Sequence, residues 1–115
     1  MATKRQVESK LRELIERLDR ATEGRDSLSE ALPEARIVEV VVTDLDQSFW
    51  TELAAGRMGP LHRGAPDAAD IRVEAESDVL VELVDGERSI FSSYLGGRVK
   101  IEASFTDLMR LRKLA

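Results

Sequence analysis

Between Gly96 and Leu114 the chain changes its period, and this change constrains the fold more than any other feature. Arg98, Lys100 and Glu102 alternate with Val99, Ile101 and Ala103, the repeat of a strand with one wet and one dry face. Ser104 follows, whose hydroxyl can accept from the backbone N–H groups at a helix start. Asp107, three residues on, is an acidic approximation to a capping box. Leu108, Leu111 and Leu114 then recur at helical spacing beside Phe105 and Met109. Arg110, Arg112 and Lys113 sit in the last turns, where cations suit the helix dipole. A short strand thus runs directly into a terminal amphipathic helix whose apolar face must cover something.

The same two periods organise the rest of the chain. Arg36 to Thr43 is β-branched, with Val38, Val40 and Val42 on one side. Asp44 to Asp46 reads as a turn, Ser48 to Leu53 as a second strand, and Ala55-Gly56 as a further turn. Arg57 to Arg63 contains Pro60, which cannot donate to a ladder, so any strand there belongs at a sheet edge. Gly64 to Asp70 reads as a loop. From Ile71 to Glu76 the alternation is clean, with Ile71, Val73 and Ala75 inward and Arg72, Glu74 and Glu76 outward. Ser77 is expected to cap a helix with Leu80, Leu83 and Val84 on its apolar side, ended by Gly86. Glu87 to Leu95 predicts a second short helix with Ile90, Phe91, Tyr94 and Leu95 inward, broken by Gly96-Gly97.

Ahead of the strands, Val7, Leu11, Leu14, Ile15 and Leu18 mark one face of a helix from about Thr3 to Glu23. Glu8–Arg12 and Glu13–Arg17 are favourable pairs on its wet side, and Gly24 stops it. Ser27 to Glu30 resembles a capping box, cut short by Pro33. The apolar face suits docking on its own domain; pairing with a second chain is the other reading. Strands bunched first and helices later predict an α+β fold, with an antiparallel-rich sheet covered mainly on one face.

At 115 residues the chain is read as one domain, with residues 1–33 as an N-terminal helical segment and 35–115 as the core. A net charge of −5 argues against nucleic acid as a partner, because phosphate contacts need a basic surface. With no cysteine, disulfides and thiol catalysis are excluded. The charged start MATKRQVESK has no signal-peptide core, and no apolar run approaches the ~20 residues of a spanning helix. A cytoplasmic protein without stable membrane insertion is the expectation. His62 is the only histidine, too little for a metal site. Glu74 and Glu76 share a wet strand face and do not read as an acid/base pair. Gly96-Gly97 is a helix stop without a phosphate-loop lysine, and Ser92, Ser93 and Ser104 lack a nucleophile elbow. No enzyme, cofactor or metal is expected.

From Ala69 to Leu114 the residues resemble the sterol carrier protein 2 family of lipid-binding domains. The matching pieces are a strand beginning Ala69-Asp70, Ser77-Asp78 opening a helix, Gly86, the apolar pair Tyr94-Leu95, Gly97, and the strand Arg98 to Ile101. The terminal LMRLRKL helix completes the pattern, and Gly86 to Ile101 fits without a gap. Trp50 and Gly56 fit more loosely, so the resemblance extends over about Ala35 to Leu114. The sequence departs from the family where Ala103 replaces a glycine after the last strand, in the absence of glycine-rich first hairpins, and in its N-terminal helix. The resemblance implies a five-stranded sheet with helices on one face, an apolar tunnel between them, and a terminal helix that helps close it. Family members bind sterols, fatty acyl chains, phospholipids or isoprenoids, without catalysis by the domain itself.

Spacing alone favours ordinary core over a cavity wall for Phe91, Tyr94, Phe105, Leu108 and Met109. The resemblance makes them lipid-binding, together with Leu95 and with Val73 and Ile101 on the sheet. Arg110 or Tyr94 is available for a polar end. The expected partner is a small apolar lipid. The competing readings are a ligand-free interaction module, forming a homodimer or binding a protein through its terminal helices, and an accessory subunit presenting an isoprenoid or acyl intermediate.

Overall fold

The structure, a computed structural model, describes residues 2–20, 34–54, 57–88 and 90–112. The first helix, α1 (Lys4–Arg20), begins on a reciprocal cap. Gln6 N donates to Thr3 Oγ1 at 3.2 Å and Thr3 N donates to Gln6 Oε1 at 2.8 Å, so two otherwise orphaned amides find partners. Strands β1 (Arg36–Val42) and β2 (Gln47–Ala54) form a hairpin. On the far side of β2 lie two short pieces, β3 (Arg57–Met58) and β4 (His62–Arg63). Pro60 stands between them, as its missing N–H requires of an edge. Gly59 N bridges the gap by donating to Glu52 O at 2.8 Å. Then come β5 (Ile71–Ala75), α2 (Ser77–Asp85), α3 (Ile90–Leu95), β6 (Val99–Glu102) and α4 (Phe105–Arg112).

Across the sheet the order is β3 and β4, then β2, β1, β5 and β6. The two edge fragments share one position, so the sheet is five positions wide. Its pairs are antiparallel except β1 with β5, which is parallel. Register fixes the faces. Val38, Val40 and Val42 oppose Thr51, Phe49 and Gln47 on β2, and Ile71, Val73 and Ala75 on β5. Val73 and Ala75 in turn oppose Ile101 and Val99 on β6. These residues form the inner face, under the helices, while Arg72, Glu74, Lys100 and Glu102 lie on the outer one, as the alternation predicts.

The helices α1 and α2 close one end of this inner face. Val7 and Leu11 of α1 and Val79 and Leu80 of α2 are buried with Val42, Phe49, Leu61, Ala75 and Val99 in one cluster. Polar contacts fix the docking: Lys10 Nζ donates to Asp85 Oδ1 at 2.6 Å, and Arg17 Nη1 to Val84 O at 2.7 Å. Arg63 Nη2 donates to Glu8 Oε2 at 3.0 Å. So α1 packs on its own sheet.

Two local expectations need correction. Ser77 is not a cap. Glu76 holds the N-cap position with no side-chain bond, and Ser77 is fully buried. The first turn of α2 is instead held by Asp44 of the β1–β2 turn, which accepts from Ser77 N at 2.8 Å and Ser77 Oγ at 2.7 Å. Among the described side chains of α3 the buried one is Ser93, whereas Tyr94 and Leu95, expected inward, are exposed. The helix turns its Ser93 side to the body, and this carries Tyr94 and Leu95 outward. Gly86 ends α2 as expected, at φ 78°, a left-handed value that favours glycine. The readings at Gly24, Ser27 to Glu30, Pro33 and Gly56, and those on the side chains of Leu18, Ile90, Arg110, Leu111, Lys113 and Leu114, lie outside the described residues.

Candidate functional site: an open apolar strip on the inner sheet face

The inner face is closed unevenly along its strands. At the Val42, Phe49, Ala75 and Val99 end it lies beneath α1 and α2 and is fully buried. At the opposite end Leu53 and Ile71 form a second, smaller cluster. Between the two run Val38, Val40, Val73 and Ile101, and all four are only half-buried. Val73 and Ile101 touch both clusters. A valine in mid-sheet is buried when a helix lies over it, so the cover here is partial. The result is a hydrocarbon strip, continued at its β6 end by half-buried Ala103.

One side of this strip is bounded by α4. Ser104 caps it as expected, with Oγ accepting from Asp107 N at 3.1 Å. Asp107 does more than decorate the first turn. It is 3% exposed and receives a forked bond from Arg36, Nε to Oδ2 at 2.9 Å and Nη2 to Oδ1 at 3.2 Å. Arg36 begins β1 on the inner face, two residues before Val38. The first turn of α4, just past the end of β6, is therefore tied across the inner face to β1 by the long Arg36 side chain. The carboxylate of Asp107 pushes the Arg36 guanidinium pKa further up, against the opposing effect of desolvation. The guanidinium end of the tether therefore stays cationic.

The residues expected to bind lipid are distributed as follows. Val73 and Ile101 form the floor of the strip. Leu108, next to Asp107, is half-buried on α4. Tyr94 and Met109 are exposed at 39% and 41%, and Leu95 and Phe105 lie further out at 78% and 79%. Phe91 belongs to α3, but its side chain lies outside the described residues. Sequence reasoning missed Val38, Val40 and Ala103 as parts of the strip. It also missed the Arg36–Asp107 fork, whose partners are 71 residues apart and carry no local signal.

Charged side chains gather on the outer face of β5 and β6. On the outer face Arg72 lies within 3.3 Å of Glu74, 3.7 Å of Glu39 and 3.8 Å of Glu102. Lys100 stands 2.9 Å from Glu102, and this contact holds the Glu102 carboxyl below its ordinary range and pushes the Lys100 amine up. His62, exposed as expected, stacks on Trp50 with centroids 4.2 Å apart. An open depression of about 510 Å³ between α1 and α2 is lined by Arg5, Gln6, Lys10 and Asp78 together with Ala2 and Val81, and more of its surface is apolar than polar. Among the described residues, no three or more His, Cys, Asp or Glu side chains gather to hold a metal ion. No helix among them is long and apolar enough to cross a membrane.

The sequence matches the SCP-2 sterol transfer family over residues 11–115. No curated protein matches it in sequence. Among solved structures, sterol carrier protein 2 like 2 from Aedes aegypti is similar with a TM-score of 0.68 at 9% identity, over 96% of this chain and 96% of that one. UbiJ-SCP2, a ubiquinone synthesis protein, is similar with a TM-score of 0.64 at 18% identity, over 99% of this chain and 92% of that one. The stereoselective inverting sec-alkylsulfatase Pisa1 from Pseudomonas sp. is similar with a TM-score of 0.57 at 20% identity, over 75% of this chain. The chain spans only 14% of the sulfatase's length. At these identities the likeness is one of fold.

Proposed function

The chain belongs to the SCP-2 sterol transfer family, and from that premise we propose that it binds or transfers an apolar lipid, without catalysis, as a cytoplasmic carrier. One observation carries the reading: the middle of the inner sheet face, Val38, Val40, Val73 and Ile101, is hydrocarbon that the protein's own helices leave half-buried. A sterol, acyl chain, phospholipid tail or isoprenoid laid there would complete the cover. Each Å² of apolar surface removed from water contributes about 25 cal/mol. In this reading Val73 and Ile101 are the floor, and Leu108, Met109 and Tyr94 are the walls. Phe91, Leu95 and Phe105 add apolar surface at the mouth. The Arg36–Asp107 fork holds α4 over the site.

The test is direct binding by delipidated protein. A fluorescent fatty acid or sterol should bind saturably at micromolar concentrations. Leu108→Arg should weaken binding at least about tenfold, because a charge in the wall must be desolvated or must block the site. Met109→Ala removes a flexible filler and should change ligand preference more than melting temperature. If the wild type binds no sterol, acyl chain or isoprenoid at micromolar concentrations, the carrier reading fails.

A further inference from the structure

The open edge of the sheet is β6, and among the described residues no strand pairs with its outer side. An unpaired edge is a template for another strand, and proteins guard such edges with charge. Here the guard has both signs, since Lys100 and Glu102 lie two residues apart on the outer face, with Ile101 between them on the inner face. That arrangement is self-complementary. We propose that β6 pairs antiparallel with β6 of a second copy of this chain, about a two-fold axis through Ile101, with Lys100 of each copy opposite Glu102 of the other.

The register follows from elimination. Keeping the two inner faces on one side of a continuous sheet requires outer-face residues to meet outer-face residues, so the axis must pass through a residue position. An axis through Lys100 sets two lysines against each other. An axis through Glu102 sets two glutamates together, and one through Val99 opposes Lys100 to Arg98. Like charges directly opposite are destabilising, and opposite charges favourable. Only the axis at Ile101 makes two attractive pairs and no repulsive one.

A second observation concerns the apolar residues flanking β6. Leu95 before the strand and Phe105 after it are the most exposed large apolar side chains described, at 78% and 79%. Antiparallel pairing about Ile101 brings the α3–β6 turn of one copy beside the β6–α4 turn of the other. Leu95 of each copy then approaches Phe105 of the other, and both exposures find cover. Among the described residues the edge stays open to this, since the first turn of α4 is tied through Asp107 to Arg36 on the inner-face side of the sheet.

The test is the mass of the full chain in solution, by light scattering and sedimentation from micromolar to millimolar concentration. The wild type should show a concentration-dependent dimer. Lys100→Glu and Glu102→Lys should each be monomeric, since each opposes like charges. Mixed in equal amounts they should form a one-to-one heterodimer, because one then presents two carboxylates and the other two ammonium groups. Recovery in the mixture also demonstrates that both variants are folded. Phe105→Ser, at a site the fold leaves exposed, should weaken the wild-type dimer about tenfold. A wild type that stays monomeric, single variants that dimerise unchanged, or a mixture that stays monomeric overturns the proposal.

Discussion

Asp44 illustrates how one side chain can start a helix it does not belong to. Its carboxylate takes both Ser77 N and Ser77 Oγ, at 2.8 and 2.7 Å, from 33 residues away. A negative charge at a helix N-terminus also complements the dipole. Asp44→Ala would orphan a buried hydroxyl and a first-turn amide, and should lower stability by about 1–3 kcal/mol in chemical denaturation. The Ser77 hydroxyl, helped by its N–H and opposed by desolvation, holds the Asp44 pKa below its ordinary value. The folded value is thus below the unfolded one. Its stabilisation is complete above the unfolded value, near ~3.9, and is lost as pH falls through the folded value. The gap between wild type and Asp44→Ala should therefore be constant from neutral pH down to about 5 and shrink in stronger acid. A gap that does not change with acid would mean that packing, not charge, holds the turn. This scale also separates what sequence can show. Ser104 caps α4 through its own neighbourhood, and the motif was legible. The partner of Ser77 is set by tertiary structure, and no local pattern names it.

At the scale of elements, the strands were legible because burial of one face imposes a period. Ile71, Val73 and Ala75 lie inward and Pro60 interrupts the edge, as read. The parallel pairing of β1 with β5 was not legible, since strands far apart in sequence carry no mark of their neighbour. Helix faces were legible for α1, whose 17 residues give a long stripe, and poorly for α3, with six. The candidate site fell between these cases: Val73 and Ile101 followed from alternation, but how far α4 covers them depends on Arg36 and Asp107. That fork makes α4 a tethered cover. Asp107→Asn keeps the shape and removes the charge, leaving the largely shielded Arg36 guanidinium with only the exposed carboxylate of Glu34, 3.3 Å away, as a counter-ion. Stability should fall by about 1–3 kcal/mol. Under the lipid-binding reading, release of a fluorescent fatty acid in stopped flow should quicken more than its uptake slows, because affinity changes reside mainly in dissociation. Unchanged release in a variant with lowered melting temperature would show that α4 anchors the fold without gating the ligand.

Over the whole molecule, the two ends of the sheet differ in how completely they are closed. The α1–α2 end has a full cluster with Val7, Val42, Phe49, Val79 and Val99 each at most 2% exposed. The other end has Leu53 and Ile71 with half-buried neighbours and a helix joined to β1 by the Arg36–Asp107 ion pair. Local opening should follow the same division, with fewer apolar contacts to break at the α4 end. Hydrogen exchange with and without a saturating apolar ligand tests this together with the site. Amides that exchange only through global unfolding gain the same protection wherever they lie, about 2.7 kcal/mol at about a hundred times Kd. They locate nothing. The informative amides exchange through local opening. Those of α4, β6 and the central residues of β1 and β5 should slow on binding, while fast-exchanging amides of α1 and α2 should not. Slowing confined to α1 and α2 would put the ligand in the depression between those helices, and uniform slowing would reveal no site. Slowing at α4 and mid-sheet alone would mean that the ligand supplies the cover that the chain's own side chains leave incomplete.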